Sequence, residues 1–168
     1  MRLSNEVKIL DIKQSLIPDL IESLYKLNQK NTPEVGSLSS INMLQDLIDM
    51  SSNALYFSIK DEIIGFIICL REKTKYKSLN YKFFSELERE FLYIDRVVVK
   101  QGKRNKGIGK YVYQHIFKTI KKENIPVCCE VNTRPENKIS LGFHSSLGFQ
   151  RVGDCSFKTH SVTYLRKN

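Results

Sequence analysis

The sequence predicts an α/β domain with a mixed sheet, and three observations lead to this fold class. A buried apolar strand at residues 91–99 is followed by a glycine-containing loop, a helix and another strand at residues 126–131. A strand-helix-strand unit of this kind makes its two strands parallel neighbours. Two strand-like runs at residues 54–60 and 62–71 meet at a turn and predict an antiparallel hairpin. Two further strand-like runs close the chain, at residues 149–157 and 161–166.

The N-terminal part is expected to add one strand and two helices. Residues 6–12 alternate apolar and polar side chains, as a strand with one buried face does. Residues 15–28 carry leucines at helical spacing and predict the first helix. Residues 31–36 contain proline and glycine and end that helix, and Ser39 or Ser40 is expected to cap the second.

Three more helices are expected later in the chain. Residues 72–90 form a polar and aromatic connection, with a short helix expected at residues 79–90. A connection of this length in a compact domain usually signals a functional loop or lid. Residues 108–123 carry an apolar helical stripe, and residues 136–147 form a last helix that Gly148 ends.

Length and composition indicate one soluble cytoplasmic domain spanning residues 1–168. A chain of 168 residues lies within the usual size range of one domain, and no linker-like or repetitive stretch divides it. The first ten residues lack the apolar region of a secretory signal, and the longest apolar run, at residues 63–70, is too short to cross a bilayer. None of the four cysteines has zinc-site spacing, so we expect reduced thiols and no metal.

The net charge of +9 allows a nucleic acid or an anionic small molecule as partner. Most lysines are scattered along the chain, which is typical of a solvated surface. One short stretch is denser in positive charge and contains Lys100, Lys103, Arg104, Lys106 and Lys110. This distribution favours a polyanionic cofactor over nucleic acid.

The strongest local signal lies between the strand at residues 91–99 and the helix that follows it. It consists of Arg104, Asn105, Lys106, Gly107, Ile108, Gly109 and Lys110. The first N–H groups of a helix have no partner within the helix and lie at the positive end of its dipole, so they favour a phosphate. Glycines without Cβ atoms let phosphate oxygens approach the backbone. Glycine before a helix also often only turns the chain, and that alternative stays open at this point.

Other phosphate-binding motifs fit this loop poorly. A dinucleotide fingerprint needs a third glycine and a later acidic residue, and Gly102 does not complete its spacing. A P-loop needs Gly-Lys followed by Ser or Thr, whereas Gly109 is followed by Lys110 and Tyr111.

With the loop from Arg104 to Gly109, the chain resembles the GNAT superfamily of acetyltransferases, whose signature is Arg/Gln-x-x-Gly-x-Gly/Ala after an aliphatic strand. The run from Asn137 to Phe149 is similar to a second family pattern, Asn, a small residue, Tyr and Leu-Gly-Phe, with His144 at the Tyr position. The resemblance is close over residues 91–152 and looser before them. It extends to a bacterial branch of the superfamily and implies no particular substrate. The implied fold is a mixed, mostly antiparallel sheet with a central parallel splayed strand pair, flanked by helices.

The resemblance implies acetyl-CoA as the cofactor. In the family, the pantetheine arm lies between the splayed strands and bonds to backbone groups, which by position belong to Val97, Val98 and Val99. The pyrophosphate is held by the amides of residues 105–110 with Arg104 adding charge, and Asn137 bonds the cofactor's arm. An amide near Val97 is expected to polarise the thioester carbonyl.

Two acids are candidates for removing the proton of an amine. Asp95 and Glu130 interrupt apolar strands, which are costly places for a charge without a partner or a function. Strand alternation predicts that Asp95 shares a face with Val97, and that Glu130 shares one with Asn132. If the two faces coincide, a carboxylate pair results. A structural ion pair, for example with Arg96, is an equal alternative for each acid.

Three other residues are assigned by position. His144 replaces a Tyr that commonly protonates the departing thiolate, and imidazole can do so near neutral pH. A packing histidine is the alternative. Glu34 lies in the joint between the first two helices, where the family binds its acceptor, although a solvated loop glutamate is more common. Tyr93 is expected to help line an aromatic wall of the acceptor pocket, although core packing explains it equally well.

The sequence therefore predicts an acyltransferase that moves an acetyl group from acetyl-CoA to a primary amine of a small molecule or peptide, in a ternary complex. One alternative is a CoA-binding regulatory module without turnover. Another is a small basic nucleic-acid-binding protein. No membrane partner is expected, and the oligomeric state, including a homodimer, is left open.

Overall fold

The computed structural model describes residues 6–168, and its centre is a seven-stranded sheet. The strands are β1 Lys8–Asp11, β2 Asn53–Ile59, β3 Glu62–Arg71, β4 Leu92–Val99, β5 Val127–Arg134, β6 Gln150–Ser156 and β7 Ser161–Lys167. The helices are α1 Leu20–Gln29, α2 Ile41–Met50, α3 Leu79–Leu87, α4 Ile108–Ile120 and α5 Lys138–Ser146. The predicted α/β class and the order of elements are confirmed.

The sheet is antiparallel except at its centre. Its strand order is β1-β2-β3-β4-β5-β7-β6, and only β4 and β5 run parallel. These two strands are paired only at Leu92 with Val127 and at Tyr93 with Cys128. Beyond those pairs β4 continues beside β3 and β5 continues beside β7. The predicted splayed parallel pair is therefore present, with a cleft between its C-terminal halves.

Helices cover both faces of the sheet. Apolar side chains of α4, such as Val112 and Ile116, pack with residues of β3, β4 and β5 in one core cluster. The helices α1 and α2 pack on the opposite face over β2 and β3. Next to them, α3 contributes Tyr81 and Phe84 to an aromatic cluster that contains Tyr93 of β4. Burying each large apolar side chain contributes roughly 1.5–3 kcal/mol, so the strands beside the cleft are firmly held.

The first helix begins later than its leucine pattern predicts. Residues 15–28 were expected to be helical, but α1 begins at Leu20. Pro18 disfavours helical angles at Ile17, and Asp19 takes a left-handed conformation with φ 55°. Across residues 6–168, no helix is long and apolar enough to cross a membrane.

Candidate active site

The loop before α4 presents unpaired main-chain donors. Gly107 is the N-cap of α4 with φ 80°, and no side chain between residues 6 and 168 caps the first amides of the helix. A Cβ on Gly107 would meet nothing within 4 Å, so the glycine is needed for its backbone angle. At Gly109 a Cβ would lie 3.3 Å from the ring of Phe143, so this glycine allows α4 and α5 to pack closely. The loop therefore has the geometry of an anion site.

The basic side chains around the loop divide into paired and unpaired groups. Lys100 and Lys103 both contact Glu62 on the β2–β3 hairpin, with N–O distances of 2.5 and 3.1 Å. Arg104 donates to the carbonyl of Val99 at 3.1 Å and to Asn31. Lys106 and Lys110 are exposed and form no ion pair with any residue between 6 and 168. These two lysines, together with exposed Arg104, whose two acceptors are neutral, are the charges that the loop offers to an anion.

In the described part of the chain, the β4 edge that faces the cleft carries backbone groups that are not paired with another strand. The N–H of Lys100 donates to the carbonyl of Ile64 at 2.8 Å, which makes these two residues a hydrogen-bonded pair. Pairs alternate along an antiparallel ladder, so Val98 also bonds to β3, whereas Val97 and Val99 turn their N–H and C=O groups away from β3. The backbone groups at the cleft thus belong to Val97 and Val99, and of these the carbonyl of Val99 accepts from Arg104. The N–H and C=O groups of Val98 are bonded to β3.

A bulge in β4 changes the predicted faces of the strand. Cys69 pairs with Ile94 and Ile68 pairs with Arg96, so Asp95 is an extra residue in β4. The prediction that Asp95 and Val97 share a face is wrong, because the bulge shifts the alternation by one residue. Val97 packs with the core below α4, whereas Asp95 and Arg96 both make contacts on the opposite face.

Asp95 belongs to a buried ion pair. Its carboxylate accepts from Arg96 Nε at 2.7 Å and from the hydroxyl of Tyr76 at 2.6 Å. Both charged side chains are at most 6% exposed. Arg96 also donates to Asn28 at 2.8 Å and to the carbonyl of Gly36 at 3.2 Å. The ion pair ties the strand bulge to α1 and to the loop that follows it, as expected of a structural ion pair.

Glu130 has a different environment on the same side of the sheet. Its carboxylate accepts from the hydroxyl of Tyr93 at 2.8 and 3.0 Å and from Asn80 at 3.1 Å. Burial, with the negative charge of Asp95, raises the pKa of Glu130 to about 8, although the Tyr93 and Asn80 hydrogen bonds lower it. In contrast to Asp95, Glu130 has no cationic partner among the described residues. Such a carboxyl group can take up and release a proton near neutral pH.

Comparison with protein families identifies the chain. The family model described as Acetyltransferase (GNAT) family matches residues 21–149, most of the sequence. The chain belongs to the GNAT acetyltransferase family. The predicted family is confirmed, and with it the coarse class of acyltransferase. No curated protein matches the chain at a significant level.

Solved structures share the fold of this GNAT protein at low sequence identity. Ard1 from Thermoplasma volcanium aligns with a TM-score of 0.74 at 17% identity, over 96% of this chain and 97% of that chain. Naa50 from Arabidopsis thaliana, in complex with the bisubstrate analogue CoA-Ac-MVNAL, aligns with a TM-score of 0.72 at 18% identity, over 97% of this chain and 99% of that chain. The ribosomal-protein-S18-alanine N-acetyltransferase from Escherichia coli aligns with a TM-score of 0.69 at 12% identity, over 95% of this chain and 92% of that chain.

His144 of this GNAT protein is buried between α4 and α5. One ring nitrogen, Nδ1, lies 2.8 Å from the carbonyl of Ser140, which can only accept, so Nδ1 carries the proton. The other, Nε2, then accepts from the hydroxyl of Tyr113 at 2.8 Å. Burial lowers the pKa of His144. These contacts favour a neutral packing imidazole, and its role as the acid that protonates the thiolate stays a prediction.

Asn137 is the N-cap of α5, which sequence reasoning did not anticipate. Its side-chain oxygen accepts from the N–H of Ser140 at 3.1 Å. Its Nδ2 finds no acceptor within residues 6–168, so it is available to a cofactor. The capping bond fixes that donor at the start of α5.

The loop between α1 and α2 crosses the mouth of the cleft. Asn31 bonds to Arg104 of the glycine loop, and the carbonyl of Pro33 accepts from Asn132 of β5 at 3.4 Å. Glu34 follows directly and is exposed. The role of Glu34 in binding the acceptor stays a prediction. Tyr93, in contrast, is fully buried in the aromatic cluster, so it contacts Glu130 and does not form a wall open to solvent.

The structure adds residues that sequence reasoning missed. Asn80 and Tyr76 come from the connection between β3 and β4 and bond to Glu130 and Asp95. Tyr113 of α4 bonds to His144. The unusual length of the connection was the only signal for the first two. Nothing in the helical pattern of α4 distinguishes Tyr113 from a packing residue.

Proposed function

We propose that this protein transfers an acetyl group from acetyl-CoA to a primary amine, which attacks directly in a ternary complex, with Glu130 as general base. The observation that carries the proposal is the position of Glu130. Its carboxyl group lies on β5 just past the point where β4 and β5 part, and its pKa is raised to about 8. A base with such a pKa matches the requirement of general base catalysis near neutral pH.

The residues around the cleft fit coenzyme A. The uncapped amides after Gly107, together with exposed Lys106 and Lys110, suit a pyrophosphate. The N–H and C=O groups of Val97, the N–H of Val99 and the Nδ2 of Asn137 suit an amide-rich arm. When bound, acetyl-CoA supplies a thioester that an amine can attack. The residues of this chain hold it in place, and Val97 offers an N–H toward developing negative charge on the carbonyl.

The state of the cysteines supports direct attack over transfer through an acyl-cysteine. A nucleophilic cysteine needs a thiolate, which a depressed pKa provides. Burial raises the pKa of Cys128 to about 12, and it also raises the pKa of Cys69 and Cys129. These three thiols are therefore protonated at neutral pH and are poor nucleophiles.

For the acceptor we propose the α-amino group of a peptide. A peptide α-ammonium has a pKa of about 7.7–8.0, whereas a lysine ε-ammonium has a pKa of about 10.4. Transfer of the proton to Glu130 is thus nearly balanced for the α-ammonium and clearly uphill for lysine. The Arabidopsis and Escherichia coli proteins of the same fold bind a peptide-derived bisubstrate and act on a ribosomal protein alanine, respectively. Exposed Glu34 at the mouth of the cleft is proposed to attract the ammonium group.

The test is an acetylation assay with three acceptor sets across pH 6–10. The sets are peptides with a free N-terminus and no lysine, N-terminally blocked peptides with one lysine, and small primary amines. We expect turnover with the first set, rising through an apparent pKa near 8, and a large loss in Glu130→Gln with unchanged acetyl-CoA affinity. Cofactor binding without turnover on any set would favour the regulatory module instead. Preference for lysine or small amines would overturn the acceptor class alone.

A further inference from the structure

Asn80 joins the helix that covers the site to the carboxyl group of Glu130. It lies in the first turn of α3 and is half-buried. Its Nδ2 donates to Glu130 Oε1 at 3.1 Å, and its Oδ1 accepts from the hydroxyl of Tyr164 at 3.0 Å. The nitrogen and the oxygen of the amide are thus both hydrogen-bonded. Because the hydroxyl of Tyr164 donates to Oδ1, the Nδ2 group is the one that faces the carboxylate.

The contacts of Glu130 differ between its two oxygens. Tyr93 shares its single hydroxyl hydrogen between the two oxygens; Oε1 also accepts from Asn80, whereas Oε2 has no further donor in the hydrogen-bond network of residues 6–168. An oxygen with a single donor keeps a lone pair for another proton. The orientation of the carboxylate therefore decides which oxygen remains available, and Asn80 is the residue that distinguishes them.

Other titratable groups near Glu130 come from each neighbouring element. They are Asp95 and Tyr93 of β4, Tyr76 before α3, Tyr113 of α4, Tyr164 of β7 and Cys129 of β5. Burial raises the pKa of the phenols and of the thiol, so these groups are neutral at pH 7, and the remaining group is Asp95. Its cation partner, Arg96, is bound to Asp95. The donors to Glu130 are therefore neutral, and each one removed favours its protonated form.

We propose that Asn80 is a positioning residue for Glu130, holding Oε1 so that Oε2 accepts the proton of the amine. This inference rests on the proposed function of Glu130 as base. In this proposal α3 positions the carboxyl group of Glu130 in addition to covering the aromatic cluster. Asn80 itself is not expected to touch the acceptor or the cofactor.

The experiment compares Asn80→Leu with Lys82→Ala, an exposed position on the same helix. We expect the acid limb of the pH profile of kcat/KM to move up by about half to one unit in Asn80→Leu, which lowers the rate at pH 7 about three- to tenfold. Recovery at high pH and an unchanged KM for acetyl-CoA are expected to accompany this shift. Lys82→Ala is expected to leave the profile in place. An unmoved acid limb in Asn80→Leu would overturn the proposal.

A second variant and a second readout keep the test independent of folding and of turnover. Tyr164→Phe retains the ring but loses the hydroxyl that orients Asn80, and should move the limb in the same direction by a smaller amount. NMR titration of the carboxyl carbon of Glu130, in the unsubstituted protein and in both variants, reports the same shift without an acceptor. A titration unchanged by either substitution would refute the role of Asn80. If the titration of Glu130 shifts in the variants but no acceptor is acetylated, the contact between Asn80 and Glu130 holds and only the proposed function is refuted.

Discussion

The hydroxyl of Tyr93 donates to both carboxylate oxygens of Glu130, at 3.0 and 2.8 Å, although the ring of Tyr93 is fully buried in the aromatic cluster under α3. The side chain proposed as base is thus held by a residue of the hydrophobic core. Packing of that core, which includes Phe84 and Tyr81, therefore determines where the carboxylate stands.

Tyr93→Phe should affect the chemistry of Glu130 more than binding. The ring still fills its place, but the carboxylate loses a donor that favours its charged form. We expect lower kcat below pH 8, with an unchanged KM for the amine, measured as a full pH profile. A raised KM with an unmoved profile would instead indicate that Tyr93 contacts the acceptor directly.

Gly107→Ala should weaken the binding of acetyl-CoA by about five- to thirtyfold. Its φ of 80° costs a residue with a Cβ about 1–2 kcal/mol, so the loop is expected to leave the conformation that aims its amides. Gly102→Ala is the matched control, because a Cβ there meets nothing within 4 Å and its φ is not positive. Titration calorimetry measures both. Equal affinity in the two variants would place the phosphates elsewhere.

Arg96→Leu should destabilise the fold strongly. Removing one partner of a buried pair leaves an uncompensated charge and costs about 3–5 kcal/mol. The control is Arg151→Leu, which breaks an exposed Arg–Asp pair and should cost about 0–1 kcal/mol. Urea unfolding monitored by circular dichroism gives both free energies. Similar losses in the two variants would show that the Asp95–Arg96 pair does not hold the α1–α2 loop.

Tyr113 and His144 should be energetically coupled. Either single change to Phe leaves a buried polar atom without a partner, at a cost of about 1–3 kcal/mol, whereas the double change removes both atoms. A double-mutant cycle of unfolding free energies is therefore expected to show the double variant losing less than the sum of the singles. If His144 protonates the thiolate, His144→Phe will also slow turnover at unchanged cofactor affinity. Full turnover would leave it as a packing residue.

Glu130 should make stability depend on pH in a defined direction. The pKa of Glu130 is about 8 in the folded chain, which is higher than that of an unfolded glutamate. The protonated form of Glu130 therefore stabilises the fold, and this stabilisation is fully present below the unfolded pKa. That stability is lost as pH rises through about 8. The unsubstituted protein should therefore lose a few kcal/mol relative to Glu130→Gln between pH 4.5 and pH 8.5. Parallel stability curves for the two proteins would contradict the raised pKa.

The sequence by itself determined much of this protein. Apolar periodicity gave the order of the elements, since the 3.6 and 2 residue repeats depend only on neighbours along the chain. The run from Arg104 to Gly109 indicated the loop, because a positive φ and uncapped amides are local properties. The same run, with Asn137 to Phe149, indicated the family that the comparison confirms.

Only the tertiary structure decided how the candidate site is arranged. Beyond the bulge at Asp95, the side chains of β4 lie on the opposite faces from those that simple alternation predicts. The bulge arises from the pairing of β4 with β3, which no local sequence pattern reveals. Asn80 reaches Glu130 across 50 residues because α3 folds over the sheet. The different environments of Asp95 and Glu130 depend on which distant groups surround each carboxylate. Burial and partners are properties of the folded chain, so two acids that look alike in the sequence become an ion pair and a proposed base.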